Sequence, residues 1–512
     1  MSDPTVAVAA PNELSARAGM RQAAAGGNAV DAAVAAVIVA SVTEPGIVSP
    51  MGGAFVNVWP PHRRPIVIDG NVEMPGRGAG AKAFGRGLER IELDYGGGIT
   101  VHGGHGSVST PGFFAAVAQA CQDHGSLPWA WLVRPAIEAV RDGYPLGTSA
   151  AYYLGASGDL FTWHPDSRQF LAQRGPAPIV RPGQLMRCPN LARSLELIAE
   201  EGAQTLYTGE LAHRIAADMA GHGGLLSLED LAAYRTVTRE PLRTTLGAWD
   251  VAVNPGPSIG GPVLTAMLRL MAARAERSAE DIIEVERVVL AYRRSHLDYA
   301  VDLEHAGQQL LQLLATQGPD ALAAAGRSAE TVHVSAVDAS GLACSITTSA
   351  GYGSGVTTPG TGLMLNNALG EPELNRRGLH AFEPGSRMPS NMAPTTARRD
   401  DGAVLAVGTP GADRITTALF QVLTSFCLDD QDLQTAIDAP RLHVAFDEQD
   451  RPRLEHEDGP GLREAAHASG LPWHTHEEIT MYFGGVGAAL RRSNGALRAA
   501  ADPRREAATA VS

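Results

Sequence analysis

The longest apolar stretch of the chain, Ala32 to Val42, permits few placements. A membrane-spanning helix needs about 20 apolar residues; this run falls short of that and follows Asp31. Gly26-Gly27-Asn28 is a turn signal, and Val30, Val34, Ile38 and Val42 behind it recur at helical spacing. Ala29 to Val42 therefore reads as a helix buried inside a large core. With 512 residues, 44% hydrophobic and 19% charged, the chain has the material for that core, so disorder as the dominant state is excluded. Length alone suggests about three domains, although large single α/β layers also reach this size.

Charge and cysteine usage narrow the partners. Lys and Arg number 41 against 55 Asp and Glu, a net −14, with a pI near 5.6. Such a chain has no overall attraction to phosphate backbones or anionic lipid, so neither nucleic acid nor a membrane is an expected partner. Cys121, Cys188, Cys344 and Cys427 lack metal-ligand spacing, which argues against a disulfide scaffold and a structural zinc site. Met1-Ser2-Asp3-Pro4 lacks the basic-then-apolar pattern of a signal peptide, and a cytoplasmic soluble protein is expected.

β-branched residues beside Pro and Gly predict a strand pair around Ala54–Trp59 and Pro65–Asp69. From about Ser107 to Arg327 the pattern is mostly helical, as in Phe113–His124, Trp129–Arg141, Leu191–Glu201 and Ser278–Thr316. Ser227 precedes acidic first-turn residues as an N-cap. Beyond Thr331, Val332 to Val337 alternates as a strand, Asp338-Ala339-Ser340-Gly341 is a turn, and Leu342 to Thr348 returns. Helices first and strands later suggest an α+β layered fold. Neither a fixed-period repeat, a Walker loop nor a dinucleotide fingerprint is visible.

Thr331 starts that alternating run. A threonine hydroxyl is a poor nucleophile without an adjacent base. A chain break before Thr331 would free an α-amino group of pKa about 7.7–8.0, suited to proton transfer near neutrality. The plainer alternative is a threonine that simply begins a strand.

The wider chain is similar to the γ-glutamyltransferase family of N-terminal-nucleophile hydrolases, from about residue 5 to 505. The resemblance rests on separate blocks in order: Ala25 to Ala36, Met51-Gly52-Gly53-Ala54-Phe55, Pro135 to Ala139 with Asp142-Gly143-Tyr144, Gly223 to Leu231, and Pro257 to Gly261. After Thr331 come Pro359 to Gly362 with Leu365-Asn366-Asn367, Met392 to Thr395, Gly408 to Ala412, Ala436 to His443, and Ala501 to Arg505. The resemblance implies a four-layer αββα sandwich made as one proenzyme, cut between Glu330 and Thr331 into a large subunit, 1–330, and a small subunit, 331–512. Cleavage would proceed by an N-to-O acyl shift at the same hydroxyl. By the same resemblance Thr331 is nucleophile and base, Ser349 is the hydroxyl residue beside it, and Gly411 and Ala412 are the oxyanion-hole positions. The second of these is usually glycine, but Ala412 keeps its N–H.

The substrate pocket departs from the family pattern. Asn71 stands where an arginine pairs with the substrate α-carboxylate, a change that should cost roughly 2–5 kcal/mol of recognition. The Ala350-Gly351-Tyr352-Gly353 loop is short, Ala368 replaces a polar residue, and Val332 replaces a second threonine. Glu371 stands at the position of an aspartate that holds the substrate amino group. Of two family serines, Ser390 remains and the second is Asn391. The segment between Asp298 and Thr331 is also short. Glu73 and Glu371 form either a pocket for a cationic or hydrogen-bond-donating group or a solvated surface pair. Arg77 is either a substitute for the lost arginine or an ordinary surface residue. His102, His105 and His333 are scattered without an acidic pattern, so neither metal nor cofactor is expected.

These changes point away from a standard γ-glutamyl substrate and toward an amide-like bond of a small metabolite, oxamate among them. The alternatives are hydrolysis of a carbon–carbon bond of a keto acid, as proposed for family members in alkylproline biosynthesis, true glutathione hydrolysis, and a non-catalytic binding protein that kept the fold. Oligomeric state is not legible.

Overall fold

A computed structural model of the chain describes residues 5–94, 98–171, 180–317, 331–447 and 449–512. The apolar run forms a helix, Ala29–Thr43, buried along its whole length. The Asn28 side chain accepts from the Val30 and Asp31 amides, and Asp31 accepts in return from the Asn28 amide. The Asp31 carboxylate also takes the Ser126 and Leu127 amides, so the single charge in this helix is fully hydrogen-bonded. A helix apolar all round needs cover on every side. Helices Glu13–Ala24 and Trp129–Asp142 flank it, and a β-sheet lies beneath.

That sheet has seven antiparallel strands in the order Ala508–Val511, Val6–Ala10, Val332–Asp338, Ala343–Ser349, Gly53–Trp59, Ile66–Gly70 and Val237–Arg239. A second antiparallel sheet runs Leu497–Ala501, Gly487–Arg491, Val404–Gly408, Thr395–Arg399, Trp249–Val253 and Leu242–Leu246. Alternation along each strand divides the core. Val332, Val334 and Ala336 pack with the buried helix. Val337, one residue on, packs with Ala7 and Ala343 against Ala252, Val404, Ala406 and Ala489 of the second sheet. Val251, Val253, Leu405 and Val407 of that sheet point the other way, into a core shared with helices Gly260–Ala272 and Arg414–Leu423.

The layer between the sheets is built largely from small side chains and short polar bridges. Buried Asn57 donates to the Ala252 and Pro394 carbonyls (2.9 and 3.0 Å) and accepts from the Thr396 hydroxyl (2.9 Å). Ser345 and Ser335 donate across the gap to the Val407 and Gly487 carbonyls at 3.0 and 3.1 Å.

The expected strand pair and the hairpin after Thr331 form as Gly53–Trp59 with Ile66–Gly70 and as Val332–Asp338 with Ala343–Ser349. Phe113–His124 is a helix with the expected bounds, and Trp129–Asp142 and Pro189–Glu201 match within two residues. Ser227 caps helix Leu228–Ala233. Two expectations are corrected. The region read as mostly helical carries three strands between Val237 and Val253, so both sheets draw on chain from each side of Thr331. Ser278–Thr316 is also two helices, Ala279–Tyr292 and Leu303–Gln317, separated by a wide turn at Arg293–Leu297 and the Arg293–Asp298 ion pair.

Replacing Asn57 by Leu removes all three bridges and strands two carbonyls and a hydroxyl between the sheets. The expected cost is about 3 kcal/mol, read as a lower urea midpoint at unchanged m-value. An unchanged midpoint would show that the sheets hold without these bonds.

Candidate active site

Thr331 is buried, 3% exposed, and immediately precedes the strand Val332–Asp338. The register pairs Val332 with Thr348 and His333 with Thr347. One step further along the ladder places Thr331 across from Ser349, which itself pairs with Gly53. Side chains two apart share a face, so Thr331, His333, Ser335 and Val337 line the face turned toward the second sheet.

His333 reaches from this face to the second sheet. Its Nδ1 meets Thr347 Oγ1 at 2.9 Å and its Nε2 meets Ser335 Oγ at 2.7 Å, which engages both ring nitrogens. Burial lowers its pKa to about 3, so the ring is neutral. A methyl group on Gly408 would overlap that ring, so only glycine fits the end of the facing strand. The loop Thr409–Ala412 leaves from this point. Thr409 Oγ1 accepts from the Gly485 amide at 2.9 Å and donates to the Pro410 carbonyl at 2.7 Å, which ties the loop to the second sheet. Gly411 and Ala412 have φ of 125° and 67°. Both residues are buried, and neither backbone N–H meets an acceptor among the described residues. Two adjacent buried donors of this kind can receive an anionic oxygen.

Asn71 lies at the end of the same group of strands. A Cβ on Gly53 would stand 2.7 Å from Asn71 Oδ1. The Asn71 side chain donates to the Met388 carbonyl at 2.8 Å, and the Asn71 backbone carbonyl accepts from Tyr234 Oη at 2.7 Å. The segment running on from Met388 brings up Ser390 and Asn391, both buried. Ser390 Oγ accepts from the Met392 amide at 3.2 Å, and Asn391 Oδ1 has no partner.

Glu371 reaches the site from the other side. The space a Cβ on Gly351 would take is filled by Asn367 and by Glu371 Oε1, the latter at 2.6 Å. Burial and, after it, the nearby Glu373 carboxylate push the Glu371 carboxyl well above the usual carboxylate range. Glu371 Oε2, Glu373 Oε2, Asn375 Oδ1 and both polar atoms of Asn367 are buried without partners among the described residues. Glu373 Oε1 accepts from Tyr352 Oη at 2.6 Å. Glu373, Asn375 and Tyr352 were not singled out from the sequence; the acid spacing Glu371-x-Glu373 was the available signal.

Glu73 is corrected on both of its readings, since it is neither an open pocket acid nor a solvated surface group. It is 7% exposed and is held by Arg387 and, at 3.1 Å, by Arg77. Arg77 also meets Asp230 at 3.5 Å, so its charge is committed inside the fold, as is that of Arg387, which meets Asp69 at 3.1 Å. The Glu330 side of the cleavage junction lies outside the described residues. His102, His105 and His333 do not converge, because both nitrogens of His333 are engaged between the sheets. Asn366 is a structural stitch that bonds Ser109 and the Met51 carbonyl.

Residues 15–512 match the family model described as gamma-glutamyltranspeptidase. A glutathione hydrolase proenzyme of Pseudomonas aeruginosa is 30% identical over 475 residues, covering 85% of this chain and 82% of its own. An oxamate amidohydrolase proenzyme of Klebsiella pneumoniae is 30% identical over 522 residues, covering 98% and 97%. Among solved structures, a cephalosporin acylase from Bacillus halodurans superposes with a TM-score of 0.83 at 25% identity, covering 100% of this chain and 96% of its own.

The neutral His333 generates a prediction. Its folded pKa lies below the unfolded value of about 6.5, so between pH 6.5 and 3 the unfolded chain binds the extra proton. Stability is complete above pH 6.5 and is lost as pH falls toward 3, by at most about 1.4 kcal/mol per pH unit from this group. Urea midpoints measured from pH 7 to pH 4.5 should fall, and fall less steeply in His333→Gln. Parallel profiles would remove His333 as the cause.

Proposed function

Because the chain belongs to the γ-glutamyltranspeptidase family, whose members are proenzyme hydrolases with an N-terminal threonine nucleophile, we propose that it cuts itself before Thr331 and acts through an acyl–Thr331 intermediate on an amide-like bond of a small metabolite. The observation that carries this reading is the placement of Thr331 across from Ser349, on the face opposed by the Gly408 strand end, from which two buried and unpartnered amides follow. The same reading divides the chain into subunits 1–330 and 331–512, interleaved in one αββα sandwich whose layering the three core clusters support.

Each group then has one task. The freed α-amino group of Thr331 takes the hydroxyl proton as Oγ1 attacks the substrate carbonyl. Ser349 orients that hydroxyl. The Gly411 and Ala412 N–H groups receive the negative oxygen of the tetrahedral intermediate. The amine leaves with the proton, and water, activated by the same amino group, resolves the ester unless an amine acceptor competes.

Substrate choice follows from the charges around Asn71. A γ-glutamyl donor presents an α-carboxylate, and the site meets it with a neutral amide already committed to the Met388 carbonyl. Arg77 and Arg387 are neutralised by Glu73, Asp69 and Asp230. Among the described residues the unpartnered pocket atoms are the acceptors Asn367 Oδ1 and Asn391 Oδ1, the donor Asn367 Nδ2 and the Glu371 carboxyl, whose pKa is raised by burial; none is a cation. These features favour a small amide that carries N–H donors and lacks the glutamyl carboxylate.

Intact mass tests the first step. Wild-type protein should give fragments of about 34 and 19 kDa, scaled from 53.5 kDa over 512 residues, the smaller beginning at Thr331, while Thr331→Ala stays whole. An uncut wild-type chain would overturn the reading in favour of a binding protein. Processed enzyme should hydrolyse a γ-glutamyl anilide roughly thirtyfold or more slower than a preferred small primary amide, since about 2 kcal/mol or more of carboxylate recognition is missing. Preference for the anilide would restore glutathione-type chemistry, and turnover confined to 2-oxo acids would move the reaction to carbon–carbon cleavage.

A further inference from the structure

Outside the active site, His105, Asp218 and His222 bring one ligand atom each to within 4.8 Å of one another. His105 sits on the short turn His105–Ser107, while Asp218 lies near the end of helix Glu210–Gly221 and His222 just beyond it. Spacing of four residues puts Asp218 and His222 on one helix face. His105 Nε2 is 3.4 Å from Asp218 Oδ2, and His222 Nδ1 is 3.2 Å from Asp218 Oδ1. His105 and Asp218 are more than nine-tenths buried, yet His105 Nε2 and Asp218 Oδ2 have no hydrogen-bond partner among the described residues. A third imidazole stands beside them: the His164 ring lies 5.7 Å from that of His105, with its Nδ1 also buried and unpartnered.

We propose that His105, Asp218 and His222, with His164 beside them, form a binding site for one zinc-class divalent ion. A tetrahedral zinc centre with bonds of about 2.0–2.1 Å has ligand–ligand edges of about 3.3–3.4 Å, and the 3.4 Å from His105 Nε2 to Asp218 Oδ2 matches that edge, while His222 Nδ1, now 2.9 Å from the Asp218 carbonyl, would exchange that contact for the ion. Imidazole nitrogens with one carboxylate form a donor set suited to zinc, and also to cobalt and nickel. An ion there balances the Asp218 charge and removes two orphaned polar atoms at once. The bound ion fastens the helix end to the turn that backs the substrate pocket. Ser107 in that turn accepts from the Leu369 amide at 3.1 Å, two residues from Glu371, and Gly104 donates to Ser354 at 2.8 Å. Its role is therefore to brace the pocket wall, with the chemistry left to Thr331. His105 alone was visible in the sequence, because its partners lie over a hundred residues away.

Full-length protein stripped with a chelator and titrated with Zn²⁺ or Co²⁺ tests the site, without reliance on turnover. One ion per chain, a rise in melting temperature, and the visible absorption bands of tetrahedral Co²⁺ are expected. His222 is half-exposed, so His222→Ala should fold; it should weaken binding about tenfold or more and lose the Co²⁺ bands. A second cluster, Glu455 with His474 and His476, is the competing location. Binding lost in His474→Ala and kept in His222→Ala would overturn the assignment, as would absence of binding in the wild type. Because neither the ion nor its spectrum depends on self-cleavage, this test stands apart from the mass measurement on Thr331.

Discussion

The contact between the His333 ring and Gly408 is the constraint on which the rest of the structure depends. Two sheets can approach this closely only if the residues between them are small or make their hydrogen bonds within the gap. Ala7, Ala252, Ala343, Ala406 and Ala489 satisfy the first condition. Asn57, Ser335 and Ser345 satisfy the second, each bonding a carbonyl of the opposite sheet. A neutral His333 belongs to the same arrangement, since a charged ring with only hydroxyl partners between two sheets would carry a large desolvation penalty. The abundance of alanine and glycine in the sequence thus has a local physical meaning. It lets the strand that begins after Thr331 lie against the strand that feeds the Gly411–Ala412 loop.

A second set of interactions shapes the pocket floor by removing charge from it. Asp69, Glu73 and Asp230 are buried, and Arg77, Arg239 and Arg387 supply their counter-charges. Arg387 also lies over the Tyr234 ring, 4.7 Å from its centroid. Breaking one member of such a network leaves an uncompensated charge in the interior, which costs far more than an intact pair contributes. These arginines are therefore unavailable to a substrate carboxylate. The glutamates on the other wall behave in the opposite way, because Glu371 and Glu373 have no cation in hydrogen-bonding contact and are pushed toward their protonated forms. Protonated carboxyls offer an O–H donor as well as an acceptor, so this wall carries little net charge.

How much of this was legible in the sequence depended on how far apart the interacting residues lie. The helix Ala29–Thr43 and the hairpin after Thr331 declare themselves through local period, and Ser227 and Ser278 through side chains three residues on. Thr331, Ser349 and the Gly408–Ala412 loop were found by resemblance; strand register sets the first two opposite each other, and the His333–Gly408 contact sets the strand before the loop against them. The strands Leu242–Leu246 and Trp249–Val253 were missed, since the first is a half-exposed polar strand whose pattern resembles a loop. Glu73 was misread because its partner Arg387 is 314 residues away. The role of Gly485 was likewise hidden, as its bond to Thr409 joins segments far apart in the chain.

The loop at Gly411 and Ala412 shows why local rules fail at this site. Alanine at a φ of 67° is in the left-handed region, which costs an L-residue roughly 1–2 kcal/mol relative to glycine. Its N–H and that of Gly411 are also buried without acceptors among the described residues, a further cost that folding alone gives no reason to bear. Neither feature improves packing, and the loop is held in place from outside, by the Thr409–Gly485 bond and the glycine contact at His333. Strain and unsatisfied donors that persist because the surroundings over-determine them are the signature of a site prepared for a ligand. Two neutral donors side by side are what the proposed oxyanion role requires. Alanine can stand in for glycine there because the proposed role needs only the N–H and its direction, and the fold sustains both at the expense of backbone strain.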